Sequence, residues 1–410
     1  MTKRATRIHI YNRWLATLGG GEKYALSMAV QLARMHAVHV ISHEPVDKVF
    51  LADRLDLDLS AVEFVTVPAQ AACDLGPVSS RCDVFINASH GDIIPAQAPH
   101  NVLLVFFPVK LRLDLASRWR RRVGLAVKRL LPRAARELIF SRYWLTQSQL
   151  SEWNLRLNSI PKRLATFEDL DTYSSIWAIS EFTRKWIGAY WNRPSVVLYP
   201  PVATHRLAPS TKQNQILSVG RFFAGSHNKK HLVMMLAFKK MVDQGLAGWT
   251  LHLAGQVTPG AEHQRYFEQV RAQCTGYPIV VHTDISSAQL ATLYGESAIY
   301  WHASGFGDNV DVDPIKFEHF GISTVEAMAA GCVPVVIGSG GQPEIVQHGE
   351  NGFLWQSLDE LNAYSWQVIR DLRLRTTVAQ NAVKRSDKFG VPAFGKHLDD
   401  LCDLILNPSA

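Results

Sequence analysis

Short apolar runs alternate with segments of helical spacing along the first half of the chain. Runs of this length are typical of strands buried on both faces, as in a parallel sheet covered by helices. The predicted strands are Arg7–Ile10, His39–Ser42, Asp83–Ile86, Val102–Phe107 and Ile176–Ser180. The predicted helices are Glu22–Met35 and Glu181–Tyr190, and Gly19–Gly21 predicts a flexible turn before the first of them.

The same alternation restarts in the second half of the chain, after a change in composition. Tyr199–Val202 is punctuated by proline and Ala208–Asn214 is polar, which indicates a domain boundary. The elements predicted beyond it are the strands Ile216–Val219, Thr250–Ala254, Ile279–His282, Ala298–His302 and Val333–Ile337, and the helices Leu232–Val242, Ser287–Tyr294, Ser323–Ala330 and Ala393–Leu406.

Two such sets of strands and helices predict an α/β fold with two Rossmann-like domains that face across a cleft. We place the first domain at residues 1–203 and the second at residues 204–390. The terminal segment, residues 391–410, fits either domain, and one arrangement packs it back on the first.

Composition narrows the class of protein. The chain has 410 residues, of which 47% are hydrophobic and 10% aromatic, and this excludes an extended disordered protein. It contains no run of about eighteen apolar residues and no secretory apolar core near its start, so we expect a cytoplasmic protein. Its five cysteines form no C-x-x-C pair, which argues against a disulfide framework and a zinc ribbon.

Positive charge is concentrated in one segment. The formal charge is +7, yet Lys110–Arg136 holds ten basic residues against one acid, so this segment carries +9 and the rest of the chain −2. A helical projection puts apolar residues and Trp119 on one face, which suits peripheral docking on an anionic membrane. The cations that we assign to this surface are Arg118, Arg120, Arg121, Arg122, Lys128 and Arg129.

Two other interpretations of the basic segment exist. It also fits an ordinary helix that packs on the domain and keeps a solvated basic face. Nucleic acid is not an expected partner, because no recognised reading module accompanies the charge.

Glu318–Gly331 is the densest group of candidate functional residues. Gly321 frees the backbone where a helix is expected to begin, Ser323 or Thr324 is suited to cap it, and Gly331 suits its end. The open amides of a helix N-terminus bind phosphate well. Glu318 then precedes the helix and Glu326 lies about one turn inside it, although a capped helix with one solvated glutamate has the same spacing.

This segment resembles the E-x7-E signature of retaining nucleotide-sugar glycosyltransferases of family four, which have the GT-B architecture. Further segments resemble the same family, and the resemblance is close over Gln215–Trp355. They are Ser218–Arg221, Asn228–Lys230, Gly331–Val336, Gly340–Val346 and Gly349–Leu354.

The resemblance implies roles for individual residues. Glu326 resembles the carboxylate that holds the ribose hydroxyls, and Glu318 the one near the donor sugar. Arg221 and Lys229 resemble the pair that neutralises the diphosphate, whose departure develops negative charge. Lys230 is the alternative lysine, and the remaining expected donor contacts are the helix-start residues Gly321, Ile322 and Ser323.

Two features of the first domain complete the expected site. Gly20 and Gly21 lie in a segment that resembles the family's glycine-rich loop, where the backbone approaches the donor diphosphate. His90 follows a predicted strand and is a candidate for the histidine beside the donor sugar, with His100 as the rival.

We expect neither a metal nor another cofactor, apart from the nucleotide sugar as co-substrate. Asp311–Asp313 spells D-x-D, a motif of metal-dependent glycosyltransferases of another fold, but Arg221 and Lys229 already supply positive charge. The surrounding segment Ser304–Phe317 is expected to close over the donor.

The resemblance implies a retaining hexosyltransferase. The acceptor is expected to be a hydroxyl of a glycan or a lipid-linked glycan, at the inner face of the cell membrane. Glu318–Ile322 resembles variants among users of GDP-mannose, which favours mannose. The alternatives are an epimerase-like enzyme that acts on the nucleotide sugar itself and a non-catalytic protein that binds sugar nucleotides.

Overall fold

A computed structural model describes residues 6–15, 19–111 and 165–407 of the chain. The chain divides into two compact units, of which the first comprises residues 1–177 and 186–195 and the second residues 178–185 and 196–410. In the part that is described, no helix combines the length and the hydropathy that crossing a bilayer needs. The predicted basic helix, with Arg118, Arg120, Arg121, Arg122, Lys128 and Arg129, lies outside the described residues.

Parallel strands with intervening helices build the first unit. The strands are β1 (Arg7–Tyr11), β2 (Ala37–Ser42), β3 (Glu63–Thr66), β4 (Val84–Asn87), β5 (His100–Val105) and β6 (Ser175–Ala178). The helices are α1 (Gly20–Leu32), α2 (Lys48–Leu55), α3 (Gly76–Ser79), α4 (Phe167–Leu170) and α5 (Glu181–Trp191), the last of which begins in the second unit.

The strands of the first unit are hydrogen-bonded in the order β3-β2-β1-β4-β5-β6. β1 is parallel to both of its neighbours, β2 and β4, and the direction of the strand order reverses between β1 and β4. Ligands of open α/β sheets bind at such a reversal, outside the carboxyl ends of the strands. The segments that follow β1 and β4 are therefore the ones to inspect in this unit.

A second parallel sheet forms the centre of the second unit, after the two-residue strand β7 (Val196–Val197). The strands are β8 (Gln213–Val219), β9 (Thr250–Ala254), β10 (Ile279–His282), β11 (Ser297–His302), β12 (Val333–Ile337) and β13 (Phe353–Trp355). The helices are α6 (His231–Asp243), α7 (Ala261–Ala272), α8 (Ser287–Glu296), α9 (Ile322–Ala329), α10 (Gln342–Ile345), α11 (Leu358–Arg370), α12 (Leu372–Ser386) and α13 (Val391–Leu406).

The strand order of the second sheet is β10-β9-β8-β11-β12-β13, and it reverses between β8 and β11. All residues of β11 and β12 are buried, because helices cover both faces of a central parallel strand. Trp301 of β11 and Trp355 of β13 lie in the same apolar core as Phe238 of α6. The functional candidates of this unit follow the carboxyl ends of β8 and β11.

The structure corrects the prediction of a flexible turn at Gly19–Gly21. Helix α1 already begins at Gly20, so Gly20 and Gly21 are helical. Gly19 is its N-cap, and its backbone N–H donates to Glu22 Oε2 at 2.7 Å. This contact starts the helix two residues earlier than the apolar spacing suggests, because the glutamate side chain returns to the N-cap amide.

Candidate functional site

The N-terminus of α9 is formed by a glycine with a left-handed backbone. Gly321 has φ of 126°, and a Cβ added to it would lie 2.6 Å from Gln342 Nε2. Ser323 and Thr324 do not cap the helix, contrary to prediction, because Ser323 Oγ accepts from the Tyr300 hydroxyl at 2.7 Å and Thr324 Oγ1 donates to Gln342 Oε1 at 2.9 Å. In the described chain no side chain caps α9, which leaves its first turn suited to a phosphate.

The end of the same helix follows prediction. Gly331 comes directly after the C-cap residue Ala330 and has φ of 76°. Glycine adopts this left-handed conformation without the steric cost that other residues have there.

Glu318 lies in the loop before α9, where it meets two basic side chains. Its Oε2 atom contacts Lys229 Nζ and lies 3.0 Å from His302 Nε2. Burial alone would raise the pKa of Glu318, but the Lys229 ammonium and the His302 imidazole outweigh it and hold this pKa well below its ordinary value. The carboxylate only accepts hydrogen bonds, so His302 presents its Nε2–H to it.

The two adjacent lysines after β8 have different partners. Lys229 contacts Glu318, and its stem passes against Gly220, where a Cβ would lie 2.5 Å from Lys229 Cγ. Lys230 Nζ instead lies 2.8 Å from Asp308 Oδ2, while Lys316 Nζ lies 2.8 Å from Asp308 Oδ1. Lys229 is therefore the lysine that the structure brings to the candidate acid, and Lys230 anchors the loop after β11.

Arg221 is exposed just beyond the end of β8. Burial lowers the pKa of His227, the positive charges of Lys229 and Arg221 lower it further, and Glu318 opposes them. Lys229 and Glu318 are in contact, and Arg221 acts electrostatically on the same imidazole as both of them.

Glu326 lies one turn inside α9 and is half-buried. The hydroxyl of buried Tyr294 donates to Glu326 Oε2 at 2.9 Å. Burial raises the pKa of Tyr300, and the charges of both Glu318 and Glu326 raise it further. Tyr300 also donates to Ser323, so a single buried tyrosine lies within electrostatic range of both acids and bonds to the start of α9.

The loop that contains D-x-D makes its own contacts. Asp313 Oδ2 lies 3.1 Å from Lys316 Nζ, and Asp311 is exposed. Within residues 6–15, 19–111 and 165–407, no three histidine, cysteine, aspartate or glutamate side chains are grouped as a metal site would need.

In the first unit, Phe106 brings His90 close to the start of α1. His90 is exposed in the turn after β4, and its ring lies 6.0 Å from the Phe106 ring. A Cβ on Gly21 would lie 3.3 Å from Phe106 Cζ. His100 begins β5 and so lies at the opposite, amino edge of the sheet. The location at the carboxyl edge favours His90 over His100.

Sequence reasoning missed several residues of these clusters. His302 is the last residue of a strand that the sequence predicts. Its position at the carboxyl edge of the sheet, where ligands bind, could therefore have identified it as a candidate site residue. No such signal exists for Tyr294, Tyr300 and Asp308. Each bonds to a residue 8 to 78 positions away in the sequence, and these contacts depend on how the loops pack.

Comparison with known proteins agrees with the resemblance in the second unit. Residues 204–385 match the family model described as Glycosyl transferases group 1. The chain is 25% identical over 289 residues to a Dictyostelium discoideum protein named GDP-Man:Man(3)GlcNAc(2)-PP-Dol alpha-1,2-mannosyltransferase, covering 66% of this chain and 54% of that protein. A Caenorhabditis elegans protein of the same name is 24% identical over 241 residues, covering 55% and 50%. The chain thus spans about half the length of the curated relatives it matches.

Solved structures share the fold. A glycosyltransferase from Rickettsia africae superposes with a TM-score of 0.66 at 16% identity, covering 99% of this chain and all of the other. Anabaena HepE, solved in complex with UDP and glucose, gives a TM-score of 0.63 at 16% identity, covering 97% and 99%. At these identities the likeness shows the fold alone, which is that of the GT-B glycosyltransferases. Residues 204–385 are therefore similar to the group 1 glycosyltransferases, and the chain as a whole has the GT-B fold.

Proposed function

We propose that this protein is a retaining, metal-independent glycosyltransferase that transfers mannose from GDP-mannose to a hydroxyl of a lipid-linked glycan. The observation that carries the proposal is the cluster at the carboxyl ends of β8 and β11, where Lys229 contacts Glu318 beside the uncapped start of α9. Cations and helix amides gathered at one place suit a leaving diphosphate.

Each group in the second unit has a proposed task. Arg221, Lys229 and the amides of Gly321, Ile322 and Ser323 bind the diphosphate and stabilise the charge that develops as it leaves. Glu326 accepts hydrogen bonds from the ribose hydroxyls, and its contact with Tyr294 fixes the carboxylate. Glu318 accepts from the donor sugar. The tie between Lys230 and Asp308 makes Lys230 an indirect contributor to donor binding.

In this proposal residues of the first unit also serve the donor. His90 is assigned to the donor sugar, and the start of α1, with Gly20 and Gly21, to the diphosphate. The closeness of both His90 and Gly21 to the Phe106 ring supports a common role.

The donor and acceptor are proposed from the names of the relatives. The Dictyostelium discoideum and Caenorhabditis elegans relatives are named for transfer from GDP-Man to a PP-Dol-linked glycan, whereas Anabaena HepE was solved with UDP and glucose. The sequence similarity to the former favours GDP-mannose and a lipid-linked acceptor here. UDP-glucose is the donor against which this choice is tested.

Transfer to a lipid-linked acceptor would take place at the inner face of the cell membrane. The basic segment is the proposed contact with anionic lipid, since each cation near such a surface contributes about 1 kcal/mol. Reversing Arg120, Arg121 and Arg122 to glutamate should abolish flotation with anionic liposomes. A matched triple reversal at the exposed residues Arg265, Arg373 and Lys396 should leave flotation intact, and equal flotation of both variants refutes the membrane contact.

A panel of nucleotide sugars, with and without lipid extract, tests the proposal. We expect release of GDP from GDP-mannose that depends on the extract, and a product whose anomeric configuration by NMR is that of the donor. Arg221→Ala should lower the rate of release by about 100-fold, while Arg265→Ala, a change at an exposed arginine, should leave it unchanged. A nucleotide sugar returned with altered sugar stereochemistry would identify an epimerase, and binding without release a non-catalytic protein.

A further inference from the structure

The segment after β1 is hydrogen-bonded to the turn after β4 through three consecutive residues. Asn12 Nδ2 donates to Ala88 O at 3.1 Å, and Arg13 N donates to Ser89 Oγ at 2.8 Å. Trp14 Nε1 donates to His90 O at 3.1 Å. These segments lie where the strand order of the first sheet reverses, so the contacts fix a turn at the position where such sheets bind ligands.

A buried ion pair also joins these two segments. Arg13 Nε lies 3.0 Å from Asp92 Oδ2, and Arg13 Nη1 donates to Asp92 Oδ1 at 3.1 Å. The two side chains are only 1% and 2% exposed. Burial of two charges has a large desolvation cost, and apolar residues of similar volume often stabilise a protein as well or better. Stability alone therefore does not account for a buried pair here, whereas the hydrogen bond from Nη1 to Oδ1 and the 3.0 Å contact between Nε and Oδ2 together define a geometry.

The turn is also held from its other side. Asn87 Nδ2 donates to Asp92 O at 2.8 Å, and Asn87 Oδ1 accepts from Ser89 N at 3.0 Å. The Tyr173 hydroxyl donates to Ile94 O at 2.5 Å. The backbone from Ala88 to Ile94 is thus fixed by buried contacts, while the side chain of His90 is exposed.

We propose that Arg13 and Asp92 are positioning residues that fix the turn of residues 88–92 and thereby place the His90 imidazole against Phe106. Neither side chain touches the sugar donor in this inference; both act through the backbone of the turn. The inference rests on the proposed function, in which His90 serves the donor sugar.

The chain offers a matched control at the opposite end of the same strand. Arg7 begins β1, and Arg7 Nη1 donates to Arg81 O at 3.0 Å in the segment before β4. Arg7 N also donates to Asp83 Oδ2 at 2.7 Å. Arg7 therefore links the same two strands as Arg13, but at the amino edge of the sheet and in an exposed position.

The test uses the double variant Arg13→Met/Asp92→Leu, because removing both charges avoids leaving one unpaired in the core. Hydrogen exchange should show faster exchange of the amides of residues 88–92 in this variant, and wild-type exchange in Arg7→Gln. The turnover of sugar transfer should fall by about 100-fold, the loss that a small misplacement of a reacting group causes. GDP affinity should stay within about twofold, since Arg221, Lys229, Glu326 and the start of α9, the main proposed nucleotide contacts, lie in the second unit. Arg13→Lys, which keeps the charge, should recover part of the turnover.

Exchange at residues 88–92 that matches wild type overturns the inference. So does faster exchange with turnover unchanged, because the pair would then be structural only. If the wild-type protein transfers no sugar from any donor, the proposed function fails while the exchange comparison with Arg7→Gln still decides whether the pair fixes the turn.

Discussion

Charged side chains lie at the carboxyl ends of both sheets, but the two units use them differently. In the first unit Arg13 and Asp92 are almost fully buried and bind each other. In the second unit Lys229 and Glu318 also pair, yet their side chains remain 23% and 20% exposed. A buried pair shapes the backbone around it, whereas a partly exposed pair keeps donors and acceptors within reach of a ligand.

This difference in exposure indicates that the charged residues have different roles in the two units. In the first unit, contacts hold a loop in place and leave one imidazole exposed. In the second unit, loops bring cations and acids to the open end of a helix. Changes at the charged residues of the second unit should therefore alter ligand binding and chemistry more than folding. Lys229→Met and Glu326→Gln test this, and two further variants test what stabilises the fold around these residues.

The largest effect is expected from Lys229→Met. The ammonium is proposed to stabilise the departing diphosphate, and loss of one such donor lowers turnover by about 100- to 1000-fold. Lys240→Met is the matched control, because Lys240 lies on α6 in an exposed pair with Asp359. Steady-state transfer measurements check this, and a Lys229→Met turnover equal to that of the control would remove Lys229 from the reaction.

Glu326→Gln should weaken GDP binding by about tenfold or more, since hydrogen bonds to a charged acceptor contribute about 1.5–3 kcal/mol. Tyr294→Phe distinguishes the role of the Glu326 carboxylate from that of the hydrogen bond that fixes it. This variant removes the hydrogen bond from Tyr294 and keeps the negative charge of Glu326. Calorimetry with GDP and with UDP measures both variants. Unchanged affinity of Glu326→Gln for both nucleotides would exclude the ribose contact.

Gly340→Ala should destabilise the loop that holds Glu318. Gly340 has φ of 67°, and its added Cβ would lie 2.4 Å from Glu318 O. Gly349→Ala is the control, because Gly349 has φ of 79° with open space around it. The control should cost about 1–2 kcal/mol of unfolding free energy for the left-handed backbone alone. Urea unfolding should show a larger loss for Gly340→Ala, and transfer should fall only in that variant; equal losses would contradict the close packing at Glu318.

Acid should destabilise the protein through buried neutral histidines. Burial lowers the pKa of His231 to about 3, against an ordinary value of 6.5. Between those values the unfolded chain binds the proton and the folded chain does not, so the unfolding free energy decreases as the pH falls below about 6.5, by up to about 1.4 kcal/mol for each pH unit. Urea unfolding from pH 7 to 5 should show a shallower decrease in His231→Phe than in wild type. The exposed control His205→Phe should keep the wild-type slope, and parallel curves for all three would show that His231 does not titrate in this way.

Much of the second unit could be predicted from the sequence. Thr250–Ala254 and Val333–Ile337 are strands with the predicted bounds, because strands of a helix-covered parallel sheet have continuous apolar runs. Ile279–His282 also has the predicted bounds although it lies at the edge of the sheet, because it begins with three β-branched residues. By contrast, β3 has mostly exposed residues at the edge of its sheet, so it carries no comparable signal. Helix α12 is largely polar and contributes few buried residues, and it was missed for the same reason.

The candidate site was predictable only in part. Glu318 and Glu326 lie on either side of the start of α9, as predicted, because Gly321 between them marks where the helix begins. The pairing of Lys230 with Asp308, and of Arg13 with Asp92, joins residues 78 and 79 positions apart. Such pairs depend on how loops pack at the ends of strands, which the local pattern of a sequence does not determine.

The central claim is that Arg221 and Lys229 bind the diphosphate of the donor, and calorimetric titration of GDP against GMP tests it most directly. In the wild-type protein GDP should bind at least about tenfold more tightly than GMP, because only GDP carries the second phosphate that these cations neutralise. In Arg221→Ala/Lys229→Met that difference should become much smaller, because only backbone amides remain to bind the second phosphate, while GMP still binds. Equal affinity for GDP and GMP in wild type, or an undiminished difference in the double variant, would contradict the account.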